Sequence, residues 1–123
     1  LVELYRCSIS SALGPSTAIS QILDYIKDNY HKPLDNITLS DMSGYHKNHL
    51  NRLFIKYTGT SMHKYILNIR ISEAKKMLLT TELALADIAE KVGFNSNTHF
   101  SSYFKQITGI SPLEFRKQFK NSI

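Results

Sequence analysis

Apolar residues recur along the chain with the period of a helix, and no stretch alternates as a strand would. "STAISQILDYIKDNY" (16–30) sets Ile19, Ile22, Leu23, Ile26 and Tyr30 on one stripe, with Ser16 as its N-cap. "SMHKYILNIRISEAKKMLLT" (61–80) is the longest element. Leu67, Ile71, Ala74 and Leu78 form one apolar strip there, and Ile66, Ile69 and Met77 a second. A helix apolar on two sides is buried between two bodies. This one is therefore expected to join two subdomains and to pack on both. A helix of roughly 19 residues spans about 28 Å. The last element, "SPLEFRKQF" (111–119), has Ser111 as N-cap, Pro112 in the first helical position and Glu114 closing a capping box. The pattern predicts an all-α chain.

A repeat runs through it. "SGYHKNHLNRLFIKYTGTS" (43–61) is echoed by "VGFNSNTHFSSYFKQITGIS" (92–111). Gly44 matches Gly93 and Tyr45 matches Phe94; then Leu50, Leu53 and Phe54 match Phe100, Tyr103 and Phe104 at a steady offset of 50. Thr58-Gly59 matches Thr108-Gly109, Ser61 matches Ser111 and Tyr65 matches Phe115. Each copy reads as a short helix, a glycine turn, and a second helix stopped by Thr-Gly. In the second copy the short helix is "LADIAEKV", with Leu85, Ile88, Ala89 and Val92 inward. The second helices carry apolar stripes of Leu50, Leu53, Phe54 and Tyr57, and of Phe100, Tyr103, Phe104 and Ile107. This is the helix-turn-helix plan. The expected division is an upstream-domain tail and linker over 1–15, a first helix-turn-helix subdomain over 16–60, a linker helix over 61–80 and a second subdomain over 81–120.

The first copy is short ahead of its glycine. Traced back from Gly44 without a gap, Ser43 falls on Val92 and Met42 on Lys91, which buries a serine and exposes a methionine. Matching "LSDMS" (39–43) to "LADIA" (85–89) keeps the apolar pattern and makes Thr38 the N-cap. That register is preferred, and it implies about three residues missing between Ser43 and His49.

The outer faces of the second helices carry the candidate chemistry. The first offers Lys47, Asn48, Asn51 and Arg52; the other offers Asn97, Thr98, Ser101 and Ser102. Arg pairs with guanine, Asn with adenine, and Ser or Thr with several base edges. A single polar face is most simply a solvated one, but two in matching places favour recognition. Two such helices about one DNA turn apart, roughly 34 Å, enter successive major grooves. A linker helix of about 28 Å is the right scale for that spacing.

Charge agrees without deciding the matter. Fifteen basic against ten acidic residues give +5 and a pI near 9.4, which favours a polyanionic partner. One cysteine, Cys7, excludes a disulfide framework and fits a reduced, cytoplasmic protein. No apolar run is long enough for a membrane span, and no signal peptide is visible. The chain opens without Met and reads as a piece of a longer protein.

Other constellations are weak. His46 and His49 form H-x-x-H, while His31, His63 and His99 are scattered, so no metal set converges. Arg70 is expected to pair with an acid such as Asp87 or with carbonyls; Arg116 is open between an internal pair and a phosphate. Lys75 and Lys76 read as a solvated face. No P-loop, dinucleotide fingerprint or nucleophile elbow is present, so neither an enzyme nor a cofactor is expected.

"YILNIRISEAKKML", "IAEKVGFNSNTHFSSYFKQITGISPLEFR" and "HLNRLFIKYTGTSMHKY" resemble the DNA-binding domain of AraC/XylS-type transcription regulators, over about residues 18 to 119. The resemblance implies seven helices in two helix-turn-helix units with a linker helix. It implies binding to double-stranded promoter DNA, activation through RNA polymerase, and an effector-sensing or dimerising domain upstream. Carried onto this sequence, it adds His49, Lys56, Ser96, His99 and Lys105 as phosphate contacts. The rival reading is a helical protein-interaction module that binds no DNA.

Overall fold

The computed structural model describes residues 14–120. Of the tail and linker expected over residues 1–15, residues 1–13 lie outside them, as does Cys7, and Pro15 is already helical. Among the described residues there are seven α-helices and no strand. They are α1 (Pro15–Asn29), α2 (Asn36–Ser43), α3 (Lys47–Thr58), α4 (Met62–Thr80), α5 (Leu85–Val92), α6 (Asn97–Thr108) and α7 (Pro112–Phe119). The chain divides into two compact units between residues 67 and 68. The division falls within α4, so each unit takes part of that helix.

In the first unit, α1 packs against α2 and α3, and α2 against α3. Ala18, Ile19, Ile22 and Ile26 of α1 meet Leu39, Leu50 and Phe54, and the first turns of α4 add Met62, Ile66 and Leu67; all are buried. Tyr65 sets its ring edge-on to Phe54 at 5.4 Å. The second unit buries Ile71, Ala74 and Leu78 of α4 with Ile88, Ala89, Val92, Phe94, Phe100 and Phe104. Its aromatic series is longer. Phe94, Phe100, Phe104 and Phe115 follow one another at centroid distances of 5.3, 5.7 and 5.4 Å, and Phe119 continues at 4.9 Å. Phe104–Phe115 in this unit is the counterpart of Phe54–Tyr65 in the first.

The end of α4 is closed by cations from α7. Arg116 donates through Nε to the Leu78 carbonyl at 3.1 Å and through Nη2 to Thr81 at 3.2 Å. Lys120 donates to the Thr81 carbonyl at 2.8 Å and pairs with Glu82. The last carbonyls of a helix have no partner within it, and basic groups there also meet the negative end of its dipole. Arg116 is thus an internal pair. Lys120 in turn holds the Glu82 carboxyl below its usual range. Arg70 is half-buried, and burial lowers its pKa. Lys76 makes a surface pair with Glu73 at 3.0 Å.

Two expected caps are displaced. Gly14, not Ser16, is the N-cap of α1, because Pro15 takes the first helical position, where a missing N–H costs nothing. Asp35, not Thr38, caps α2: its Oδ1 accepts the Thr38 N–H at 2.7 Å. That bond holds the Asp35 carboxyl below its usual range. An earlier cap gives α2 eight residues, the same length as α5.

The structure accordingly takes the ungapped register, not the one preferred from the sequence. Ser43 stands where Val92 does and is only 2% exposed. Its burial is made tolerable by hydrogen bonds. In the second unit α5 ends with Phe94 N–H reaching the Ala89 carbonyl at 2.9 Å and Gly93 N–H the Glu90 carbonyl at 3.1 Å, a Schellman-type closure. In the first unit the Ser43 hydroxyl accepts the Tyr45 N–H at 3.1 Å and donates to the Ser40 carbonyl at 3.1 Å. The Ser40 hydroxyl donates to the Tyr45 carbonyl. The Gly44 N–H still reaches the Ser40 carbonyl at 3.0 Å, and the two serines supply the rest of the closure.

One polar group in the first unit is unsatisfied. The Thr60 hydroxyl is buried without a hydrogen-bond partner among the described residues, and its counterpart in the second unit is Ile110. Thr60→Val is expected to raise stability by about 1 kcal/mol, because a buried unpaired polar group costs roughly 1–3 kcal/mol. The denaturant midpoint should rise; an unchanged or lower midpoint would contradict the account.

Candidate nucleic-acid interface

The two second helices, α3 and α6, are built to one specification. Each is twelve residues long and ends at a left-handed glycine, Gly59 or Gly109. Each buries an i, i+4 pair, Leu50 with Phe54 and Phe100 with Phe104. Residues spaced this way share a face, so the opposite face must meet solvent. Lys47, Asn48 and Arg52 are exposed on α3, with Asn51 half-buried. Asn97, Thr98 and Ser102 are exposed on α6, with Ser101 half-buried. Six of the eight base-reading candidates are thus exposed, and Asn51 and Ser101 stand at the margin of the buried face.

Tyr57 and Ile107 do not close the apolar stripes as expected. They are 46% and 41% exposed. Each sits in the last turn of its helix. Lys56 instead lies 5.7 Å from the centroid of the Tyr57 ring, a cation–π distance.

The turns differ by one residue. Residues 44–46 join α2 to α3, and residues 93–96 join α5 to α6. Ser96 caps α6, its Oγ accepting the His99 N–H at 3.0 Å. In the shorter turn the cap is His46, whose Nδ1 accepts the Asn48 N–H at 3.3 Å. An accepting Nδ1 leaves the proton of the neutral ring on Nε2. The sequence reading gave His46 no such role.

Of the phosphate candidates, His49 and His99 occupy matched places, while Lys56 and Lys105 differ by one. His49 and His99 are exposed, one turn into their helices. His49 lies 5.3 Å from the Tyr45 ring, and His99 lies 5.3 Å from Phe94 and 6.4 Å from Tyr103. Tyr103 donates its hydroxyl to Asn68 Oδ1 at 3.0 Å, and burial raises its pKa, which keeps the donor proton in place. Lys56 and Lys105 are exposed near the ends of α3 and α6.

Asn51 has work of its own. Its Oδ1 accepts the Met62 N–H at 3.3 Å, at the first residue of α4. The early N–H groups of a helix lack internal partners. In the second unit the equivalent position is Pro112, which has no N–H, and the residue equivalent to Asn51 is Ser101. So the Asn51 carbonyl is turned toward the helix junction. Pairing with both N6 and N7 of an adenine needs carbonyl and amide together.

Neither 43–61 nor 92–111 contains an acidic residue. Lys47, Arg52 and Lys56 lie on α3, and Lys105 is the one Lys or Arg on α6. Among the described residues no three His, Cys, Asp or Glu side chains gather to hold a metal. No described helix is long and apolar enough to cross a membrane.

Residues 39–118 match the family described as a helix-turn-helix domain. The HTH-type transcriptional activator AarP of Providencia stuartii is 43% identical over 101 residues, covering 82% of this chain and 75% of its own. A solved transcriptional regulator from Chromobacterium violaceum, one of the AraC-type DNA-binding domain-containing proteins, superposes with a TM-score of 0.77 at 30% identity. The match covers 84% of this chain and 92% of that one. The DNA-binding domain of AdpA, solved with a target DNA, shares the fold at a TM-score of 0.81 and 20% identity over 85% and 94% of the two chains. Two matched helix-turn-helix units and these likenesses together place the chain in the AraC/XylS-type family of helix-turn-helix transcription regulators.

Proposed function

We propose that the chain binds double-stranded promoter DNA through α3 and α6 and regulates transcription as an activator. The observation that carries this is the matched, acid-free outer face on two helices whose inner faces are equally matched. Lys47, Asn48, Arg52 and the Asn51 amide contact base edges from the first unit; Asn97, Thr98, Ser101 and Ser102 do so from the second. His49, Lys56, Ser96, His99 and Lys105 hold phosphates and set the register, as such contacts do. The chain has no enzymatic role in this reading, and its partners are DNA, RNA polymerase and an upstream effector or dimerisation domain. AarP's own description as an activator supports the direction of control.

Affinity for duplex DNA against salt tests it. With about four neutralised phosphates, log K should fall with log salt at a slope near −4. Selection from random duplexes should return a defined sequence. Absent or salt-insensitive binding would favour a helical protein-interaction module instead.

A further inference from the structure

We propose that Ile55 is a specificity-determining residue that reads the 5-methyl group of a thymine. The assignment rests on the DNA-binding reading above and adds a residue to it. Ile55 lies three residues after Arg52, four after Asn51 and seven after Asn48. Those intervals put all four on one stripe of α3. Its side chain is 44% exposed there. Its carbonyl accepts the Gly59 N–H at 2.8 Å, so the last turn of α3 is closed around it.

A branched aliphatic residue gains little at such a place. It is a poorer helix former than lysine, and half its surface stays in water. The second unit shows what the position otherwise holds: its counterpart is the exposed Lys105. Position 55 therefore faces outward in both units and is not core. An isoleucine cannot hydrogen-bond a phosphate or a base edge. The apolar feature of the major-groove edge is the thymine methyl, which apolar side chains contact. Burying methyl against methyl removes both from water.

The experiment uses the selected duplex and a series in which each thymine is replaced by uracil, which deletes only the methyl. The chain as it stands should lose about 3–5-fold in affinity at one thymine, the scale of one buried methyl. Ile55→Ala should show no loss at that same position. Ile55→Lys, the residue of the second unit, should also be indifferent to the methyl there while binding all duplexes more strongly at low salt. Melting temperatures of both variants should match the parent, since the residue is exposed. If both variants weaken binding to every duplex alike, or keep the parent's uracil response, the assignment fails while DNA binding stands. If the parent binds no duplex, both fall.

Discussion

Phe104→Ala is expected to cost the second unit about 3–5 kcal/mol, the range for emptying a buried aromatic site. The side chain is fully buried. It sits between Phe100 at 5.7 Å and Phe115 at 5.4 Å, so one deletion interrupts the aromatic series linking α6 to α7. A small domain has only about 5–15 kcal/mol to lose, so most of this unit's margin goes. Chemical denaturation should show it directly. Ile107→Ala, three residues on and 41% exposed, is the control; surface changes of this kind stay within about 0.5 kcal/mol. Similar losses at 104 and 107 would contradict the inner and outer assignment of α6.

Arg52→Ala should weaken binding to the selected duplex by about 1–3 kcal/mol and relax the preference at one base pair. Arg52 is exposed on α3, and its second-unit counterpart is Ser102, a shorter and neutral donor. A guanidinium can grip both acceptors of a guanine, while a hydroxyl makes a single bond to several bases. Ser102→Ala should accordingly cost less than Arg52→Ala. Affinities on every single-base variant of the site would decide it. An equal loss on all of them would make Arg52 a phosphate contact.

Much of this was legible in the sequence, for physical reasons that differ by element. The bounds of α5 follow from "LADIAEKV" because Ile88, Ala89 and Val92 are all inward and a glycine follows at once. The Ser111 cap was equally plain, and its Oγ accepts the Glu114 N–H at 3.1 Å. The turn before α3 was not legible. A buried serine looks like an error of register until the Tyr45 N–H is seen to go to its hydroxyl, where the matching Phe94 N–H goes to the Ala89 carbonyl. Helical period alone also carried Tyr57 and Ile107 into the core, because it does not say how far along a helix its neighbours cover it. The polar faces of α3 and α6 could be read from spacing. The tie between Asn51 and Met62 could not, since it joins residues eleven apart across a turn.

That tie bears on how far the two recognition helices are interchangeable. Grafting the α6 sequence into the first unit would put serine at 51 and leave the Met62 N–H without its amide acceptor. The reverse graft would bring an asparagine to Pro112, which has nothing to donate. Retargeting this protein by transplanting a helix therefore means moving position 62 or 112 along with it. The natural module for exchange is the helix plus the first residue of the next.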